Sequence, residues 1–96
     1  MKLVMICYNE AIDDEVTELL EQADAKGYTK WTKVLGKGKS SGPHLYSHIW
    51  PKANNVVVTV VPEQMAAAIL DRVRQMRKKL GSEGVKAFTW EIDEVI

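Results

Sequence analysis

Apolar and polar residues alternate in blocks along the first half of the chain and predict a strand, a helix and a second strand. Lys2–Tyr8 is a short, almost continuous apolar run, which is typical of a buried central strand. From Ala11 the apolar positions recur at helical spacing with acidic residues on the opposite face, and Gly27 is the predicted end of this helix. β-Branched and aromatic residues with interspersed lysines then predict a strand over Tyr28–Leu35.

The second half begins with an irregular segment and then repeats the alternation of strand and helix. Residues 36–54 hold glycines, prolines and paired serines but few consecutive apolar positions, which predicts a long loop of the kind that is often functional. The valine-rich run Val56–Val61 predicts a buried strand. A helical pattern follows over residues 63–79, with Gly81 as its predicted C-cap, and Val85–Ile92 predicts the last strand.

The element order is therefore βαββαβ, which predicts an α+β fold of ferredoxin-like type over a single domain, residues 1–96. In this fold a four-stranded antiparallel sheet carries two helices on one face. Trp31 and Trp90 and the aliphatic strand positions are poorly suited to water, so the opposite face is expected to be covered by a partner subunit.

Composition excludes several classes of protein. Thirteen basic residues balance thirteen acidic ones, so no overall charge favours nucleic acid or an anionic membrane. The single cysteine, Cys7, lies in the first apolar run; it is predicted to be a core residue and cannot form a disulfide within the chain. No apolar stretch is long enough to cross a bilayer, and we expect a cytoplasmic protein without membrane insertion.

The arrangement of polar residues does not predict an enzyme. Ser40, Ser41 and Ser47 have histidines nearby but no evident orienting acid or strained elbow motif. The acidic residues 13–15 stand at a helix start, where capping and the helix dipole favour carboxylates.

Two sets of residues in the long loop suggest ligand chemistry, and each has an ordinary structural alternative. The glycines and lysines of residues 36–42 could bring backbone N–H groups and positive charge around an anion, or could belong to a solvated loop. His44 and His48 are four residues apart, so on a helix they would face the same way and could hold a divalent metal. Alternatively, the two imidazoles form hydrogen bonds that order the loop after Pro43.

The order and spacing of the segments resemble those of the PII-like signalling superfamily, to which nitrogen regulatory protein PII belongs. These are small ferredoxin-like proteins that assemble as trimers. The matching segments are Lys2–Ile6, Asp14–Val16, Gly27–Thr29, Val34–Gly38 and the valine strand that runs into Pro62. Because the loop after the second strand is shorter than the family's effector loop, the chain resembles a compact PII-like protein.

This resemblance implies a nucleotide site in clefts between subunits. The base of the effector loop, which approaches the nucleotide phosphates, corresponds to Gly36, Lys37, Gly38 and Lys39. The stretch that lines the adenosine corresponds to Gly27, Tyr28 and Thr29. Lys86 stands in the place of the phosphate-contacting lysine of the family's second glycine-rich loop.

The leading hypothesis is therefore a non-enzymatic homotrimer that senses a small anionic ligand, an adenine nucleotide, and signals through the 36–50 loop to a protein target such as a transporter. The alternative is a metal-binding accessory protein of divalent-cation tolerance or efflux, comparable to the similarly folded CutA trimers, that uses His44 and His48. No other cofactor is implied.

Overall fold

The computed structural model describes residues 1–37, 53–80 and 84–96, which form one antiparallel sheet of four strands and two α-helices. The elements are β1 (Lys2–Asn9), α1 (Asp13–Gln22), β2 (Thr29–Val34), β3 (Asn54–Val61), α2 (Glu63–Leu80) and β4 (Val85–Glu91). The strands lie in the order β2-β3-β1-β4, so the two chain-terminal strands are neighbours. This arrangement confirms the predicted α+β, ferredoxin-like βαββαβ fold.

Both helices pack on the same face of the sheet. In β1 the even-numbered residues point to this face, and Val4 and Ile6 are completely buried there. Ile6 pairs with Val57 of β3, which is also buried. The helices complete this core with Val16, Leu19, Leu20, Ala66, Ile69 and Val73. None of the described helices is long and apolar enough to span a membrane.

The first helix ends earlier than predicted, and Gly27 does not end it. Ala25 donates a backbone hydrogen bond to Leu20 O at 2.9 Å, and Asp24 donates one to Glu21 O at 3.0 Å. Asp24 has a φ of 65°, so these bonds form a Schellman motif with aspartate in the left-handed position that glycine usually takes. The prediction was wrong because the apolar pattern continues to Ala23, whereas the backbone turns immediately after it.

The remaining boundaries differ from the predictions by one or two residues, as helix and strand ends commonly do. A short 3-10 turn, Glu10–Ile12, links β1 to α1, and the Asn9 side chain accepts the Ala11 N–H at 2.9 Å to cap it. The predicted C-cap Gly81 lies outside the described residues.

Candidate functional site

The predicted base of the effector loop lies where β2 ends and β3 begins. A Cβ atom placed on Gly36 would lie 2.7 Å from Asn54 Nδ2, so Gly36 lies against the first residue of β3. Ala53, just before β3, accepts a backbone hydrogen bond at 3.2 Å from the 3-10 turn that follows β1. Both flanks of residues 38–52 are therefore held at the same end of the sheet.

Of the predicted loop residues, Gly36 and Lys37 are described, and both are exposed. The others, Gly38, Lys39, His44 and His48, lie outside the described residues. Within the described ranges, no three His, Cys, Asp or Glu side chains come together to hold a metal ion. The metal hypothesis for the two histidines therefore remains a prediction.

A β-bulge precedes the loop base. The pairing of β2 with β3 shifts between Trp31 and Val34, and Lys33 has a φ of 58°, in the left-handed region that non-glycine residues rarely adopt. Lys33 Nζ lies 3.7 Å from Glu10 Oε2, but both side chains are exposed and such a pair contributes little to stability. Because bulges bend a strand, this one sets the direction in which the chain leaves β2.

The predicted adenosine-lining residues lie at the other end of β2. Thr29 is the first residue of β2, and Gly27 O accepts a hydrogen bond from Thr59 Oγ1 at 2.6 Å. At about 3.3 Å per residue, the strand places Thr29 roughly 16 Å from Val34. Within one chain, the residues 27–29 and the loop base are therefore not brought together.

The predicted phosphate-contacting lysine lies on the opposite edge of the sheet from the loop base. Lys86, on the edge strand β4, is exposed and pairs with Cys7 of β1. Asn9 donates a backbone hydrogen bond of 3.0 Å to Gly84 O, so the start of β4 lies at the same end of the sheet as Gly36. β2 and β4 are three strand spacings apart, or about 14 Å, so Lys86 and Lys37 share an end of the sheet but not an edge.

The face of the sheet opposite the helices, here called the open face, is apolar and exposed. Strand pairing places Trp31, Val56, Cys7 and Lys86 in one row across it. The neighbouring rows add Thr29, Val58, Met5 and Phe88, and then Val60, Leu3 and Trp90. Trp31 is 51% exposed, and Phe88 and Trp90 are each 46% exposed. An aromatic and aliphatic surface of this kind is characteristic of a protein–protein contact.

Cys7 belongs to this open face, so its prediction as a core residue was wrong. The apolar run of β1 is continuous, but consecutive side chains point to opposite faces, and Cys7 is only partly buried. Burial raises the pKa of the Cys7 thiol, and the positive charge of Lys86 partly opposes that increase. The raised pKa favours the neutral thiol over the thiolate.

A polar network on the helix face is centred on Asp13. Its carboxylate accepts hydrogen bonds from Tyr8 Oη at 2.5 Å and from Asn55 Nδ2 at 3.1 Å. Lys30 Nζ lies 2.8 Å from Asp13 Oδ1 and 3.0 Å from Oδ2. One side chain at the start of α1 thus joins β1, β2 and β3. Tyr8 and Asn55 are almost completely buried, and the Asn55 Oδ1 atom has no hydrogen-bond partner in the described part of the chain.

The network stabilises the charged form of Asp13. The hydrogen bond from Lys30, followed by that from Tyr8, lowers the pKa of Asp13 below its usual value of 3.8. Burial, together with the hydrogen bond to the carboxylate, raises the pKa of Tyr8, which stays protonated as a donor. The sequence suggested only helix capping for Asp13; the available signal was the polar Tyr8 and Asn55 within otherwise apolar strands.

These features define a class of protein, a ferredoxin-like domain whose second sheet face is apolar and not covered by the described helices, and in which β2 ends and β3 begins at the same end of the sheet. The family model for nitrogen regulatory protein P-II matches residues 1–96. The chain therefore belongs to the P-II family, as the resemblance implied. A comparison with curated proteins found no match.

Solved structures of PII-like proteins share the fold. The apo form of CPII, a nitrogen regulatory PII-like protein from Thiomonas intermedia, has 23% identity and a TM-score of 0.72, over 95% of this chain and 87% of that chain. CPII bound to ADP and bicarbonate has 26% identity and a TM-score of 0.70, over 97% and 88%. A PII-like signalling protein from Thermus thermophilus has 26% identity and a TM-score of 0.69, over 93% and 82%.

Proposed function

We propose that this P-II family protein is a homotrimeric regulator that binds an adenine nucleotide in clefts between its subunits. The family match over residues 1–96 supports a regulatory role. A similar protein, CPII, has been solved with ADP and bicarbonate, which supports an adenine nucleotide as the ligand class. The output is a change in the 36–50 loop that a partner protein recognises, and no catalytic turnover is involved.

The observation that carries the proposal is the open face. Three large aromatic side chains, Trp31, Phe88 and Trp90, are about half exposed there, on the same face as the predicted phosphate lysine Lys86. Burying such a surface against further copies of the chain is favourable by about 25 cal/mol per Å² of apolar area. A small domain gains stability from this association, because one chain of this size buries a limited core.

Association through the open face also explains why the predicted ligand residues are spread out. The 27–29 segment and the loop base lie at opposite ends of β2, so a compact site requires residues from two chains. Lys86 projects from the open face, where a neighbouring subunit would meet it. Such a site forms only in the assembled protein, and binding of a nucleotide would in turn stabilise the assembly.

The loop base supplies the response to the ligand. Lys37 is exposed at the point where the loop leaves the sheet, and a phosphate bound there would form a charge-assisted hydrogen bond with its ammonium group. A ligand shifts a conformational equilibrium only if it binds one conformation more tightly than the other. A contact made by Lys37 in one loop conformation provides that difference.

Isothermal titration calorimetry tests this function. We expect ADP, ATP or AMP to release or absorb heat on binding, with ADP measured both with and without bicarbonate. Lys37→Ala and Lys86→Ala should each weaken ADP binding about tenfold, as expected for the loss of one charged contact. Lys78→Ala is the matched control, since Lys78 is an exposed lysine on α2, away from the open face.

Two results would contradict the proposal. Absence of heat from every nucleotide at millimolar concentration would exclude nucleotide sensing. A solution mass by light scattering equal to the 10.8 kDa chain, in place of three times that value, would exclude the trimer.

A further inference from the structure

Arg77, in the last turn of α2, connects that helix to the start of β4. Its Nη1 atom donates a hydrogen bond of 2.6 Å to the backbone carbonyl of Val85. Arg77 is half-buried, and no carboxylate lies within ion-pair distance of it among the described residues. Among the described residues, the Val85 carbonyl is therefore the acceptor that holds the guanidinium group.

The strand pairing explains why this carbonyl is available. The Asn9 N–H bonds to Gly84 O, so Gly84 directs its carbonyl towards β1. In an antiparallel pair, alternate residues point their N–H and C=O groups to opposite sides, and Val85 therefore directs its carbonyl away from β1. β4 is an edge strand with no neighbour on that side among the described strands, and Arg77 satisfies the group that would otherwise face solvent.

The contact holds the peptide unit that directly precedes Lys86. Gly84 lies against the end of α2, since a Cβ atom placed on it would lie 3.6 Å from Leu80 Cβ. Val85 is thus held to α2 by the Arg77 hydrogen bond, next to the point where Gly84 lies close to the helix end, and Lys86 is the residue that follows. Its backbone then pairs with Cys7, which sets the direction of the Lys86 side chain.

We infer that Arg77 is a positioning residue for Lys86 in the nucleotide site. The inference rests on the proposed function, because it assigns Arg77 a role in holding the lysine that is proposed to contact phosphate. The neighbouring cations of α2 differ from Arg77: Arg74 and Lys78 are exposed and form no hydrogen bond or ion pair within the described ranges. The positive charges of Arg74 and Lys78 interact favourably with the C-terminal end of the helix dipole. That interaction does not explain why Arg77 contacts the Val85 carbonyl.

A double-mutant cycle on ADP affinity tests the role. Arg77→Gln should weaken ADP binding about tenfold, whereas Arg74→Gln, which removes the same charge from the same helix, should change it less than about twofold. In a Lys86→Ala background, Arg77→Gln should have no further effect, because the residue through which it acts has been removed. Circular dichroism and solution mass should match those of the wild-type protein in each variant.

Arg77→Lys covers the case in which Arg77→Gln does not fold. Lysine retains the positive charge and a hydrogen-bond donor but lacks the planar guanidinium group. Arg77→Lys should therefore weaken ADP binding by a smaller factor than Arg77→Gln does. Equal ADP affinity for the wild-type, Arg77→Gln and Arg77→Lys proteins would overturn the inference and leave the proposed function intact. An additive loss in the Lys86→Ala background would also overturn it, since Arg77 would then act elsewhere. If the wild-type protein itself binds no ADP, the proposed function fails, and this role for Arg77 fails with it.

Discussion

The two faces of the sheet are built from the same strands and similar residues, yet they differ in how far their side chains are buried. On the helix face, Val4 and Ile6 of β1 are fully buried under α1 and α2. On the open face, the neighbouring residue Met5 is only partly buried, and Trp31 and Trp90 are about half exposed. The comparison teaches that α1 and α2 cover one apolar face of the sheet, whereas none of the other described elements covers the second.

The largest expected effect comes from placing a charge on the open face. Trp90→Glu should convert the proposed trimer to a monomer, because a carboxylate in an apolar interface carries a desolvation cost of several kcal/mol. Solution mass by light scattering is the measurement. Gln64→Glu, which adds the same charge at an exposed position in the first turn of α2, should leave the mass unchanged. A Trp90→Glu protein with the mass of the wild type would show that the open face is not the interface.

A smaller effect distinguishes two adjacent residues of β1. In the Trp90→Glu background, Ile6→Ala should lower the free energy of unfolding by about 3 kcal/mol, because it opens a cavity in the helix-face core. Met5→Ala should lower the free energy of unfolding by less than about half that amount, because the Met5 side chain is only partly buried within one chain. Urea unfolding measures both. Equal losses would mean that the two faces are equally well packed within the single chain.

The polar network around Asp13 should contribute less to the free energy of unfolding than the apolar core does. Asp13→Asn should lower the free energy of unfolding by about 2 kcal/mol at pH 7, because Lys30 loses its charged partner. The pKa of Asp13 is lowered in the folded state, so its contribution is complete above its usual value of 3.8 and is lost as the pH falls below that value.

Urea unfolding at neutral and acidic pH checks this pH dependence. The difference between the wild-type protein and Asp13→Asn should shrink on acidification. Asp14→Asn, a change at the next and exposed residue, serves as the control. A difference that stayed constant down to about pH 2 would argue against an ionised Asp13 as the centre of the network.

The smallest expected effect concerns the anchor of the 27–29 segment. Thr59→Val keeps the side-chain shape but removes the hydrogen bond of 2.6 Å to Gly27 O, and should lower the free energy of unfolding by about 1 kcal/mol. Thr32→Val, at an exposed position of β2, should have almost no effect. Thermal unfolding of the two variants is the comparison. Equal melting temperatures for both would indicate that the Gly27 segment is held by other contacts.

The fold was largely predictable because each element carries a local signal. A continuous apolar run predicted β1, a valine-rich run predicted β3, and helical spacing of apolar residues predicted α2 to within one residue of its end. The end of α1 was missed because Asp24 takes the left-handed position that glycine usually occupies, and no local pattern reveals that choice.

The candidate site was predictable only in part. The resemblance assigned the loop base and Lys86 to a nucleotide site, which stays a prediction, and the sequence did not reveal that β2 separates residues 27–29 from Gly36 within one chain. The Asp13 network was also missed, since Tyr8, Lys30 and Asn55 are far apart along the chain and meet only through strand register.

The amino-acid sequence alone establishes the element order, the α+β class and the family resemblance, because periodicity and segment order are properties of neighbouring residues. The folded structure establishes which apolar residues are covered. Both sides of β1 and β3 are hydrophobic, so the strand pattern does not distinguish them, and Cys7 was predicted to be a core residue for this reason. The difference arises from the packing of α1 and α2 on one face, a contact between distant segments that leaves the open face, with Lys86, uncovered by the described helices.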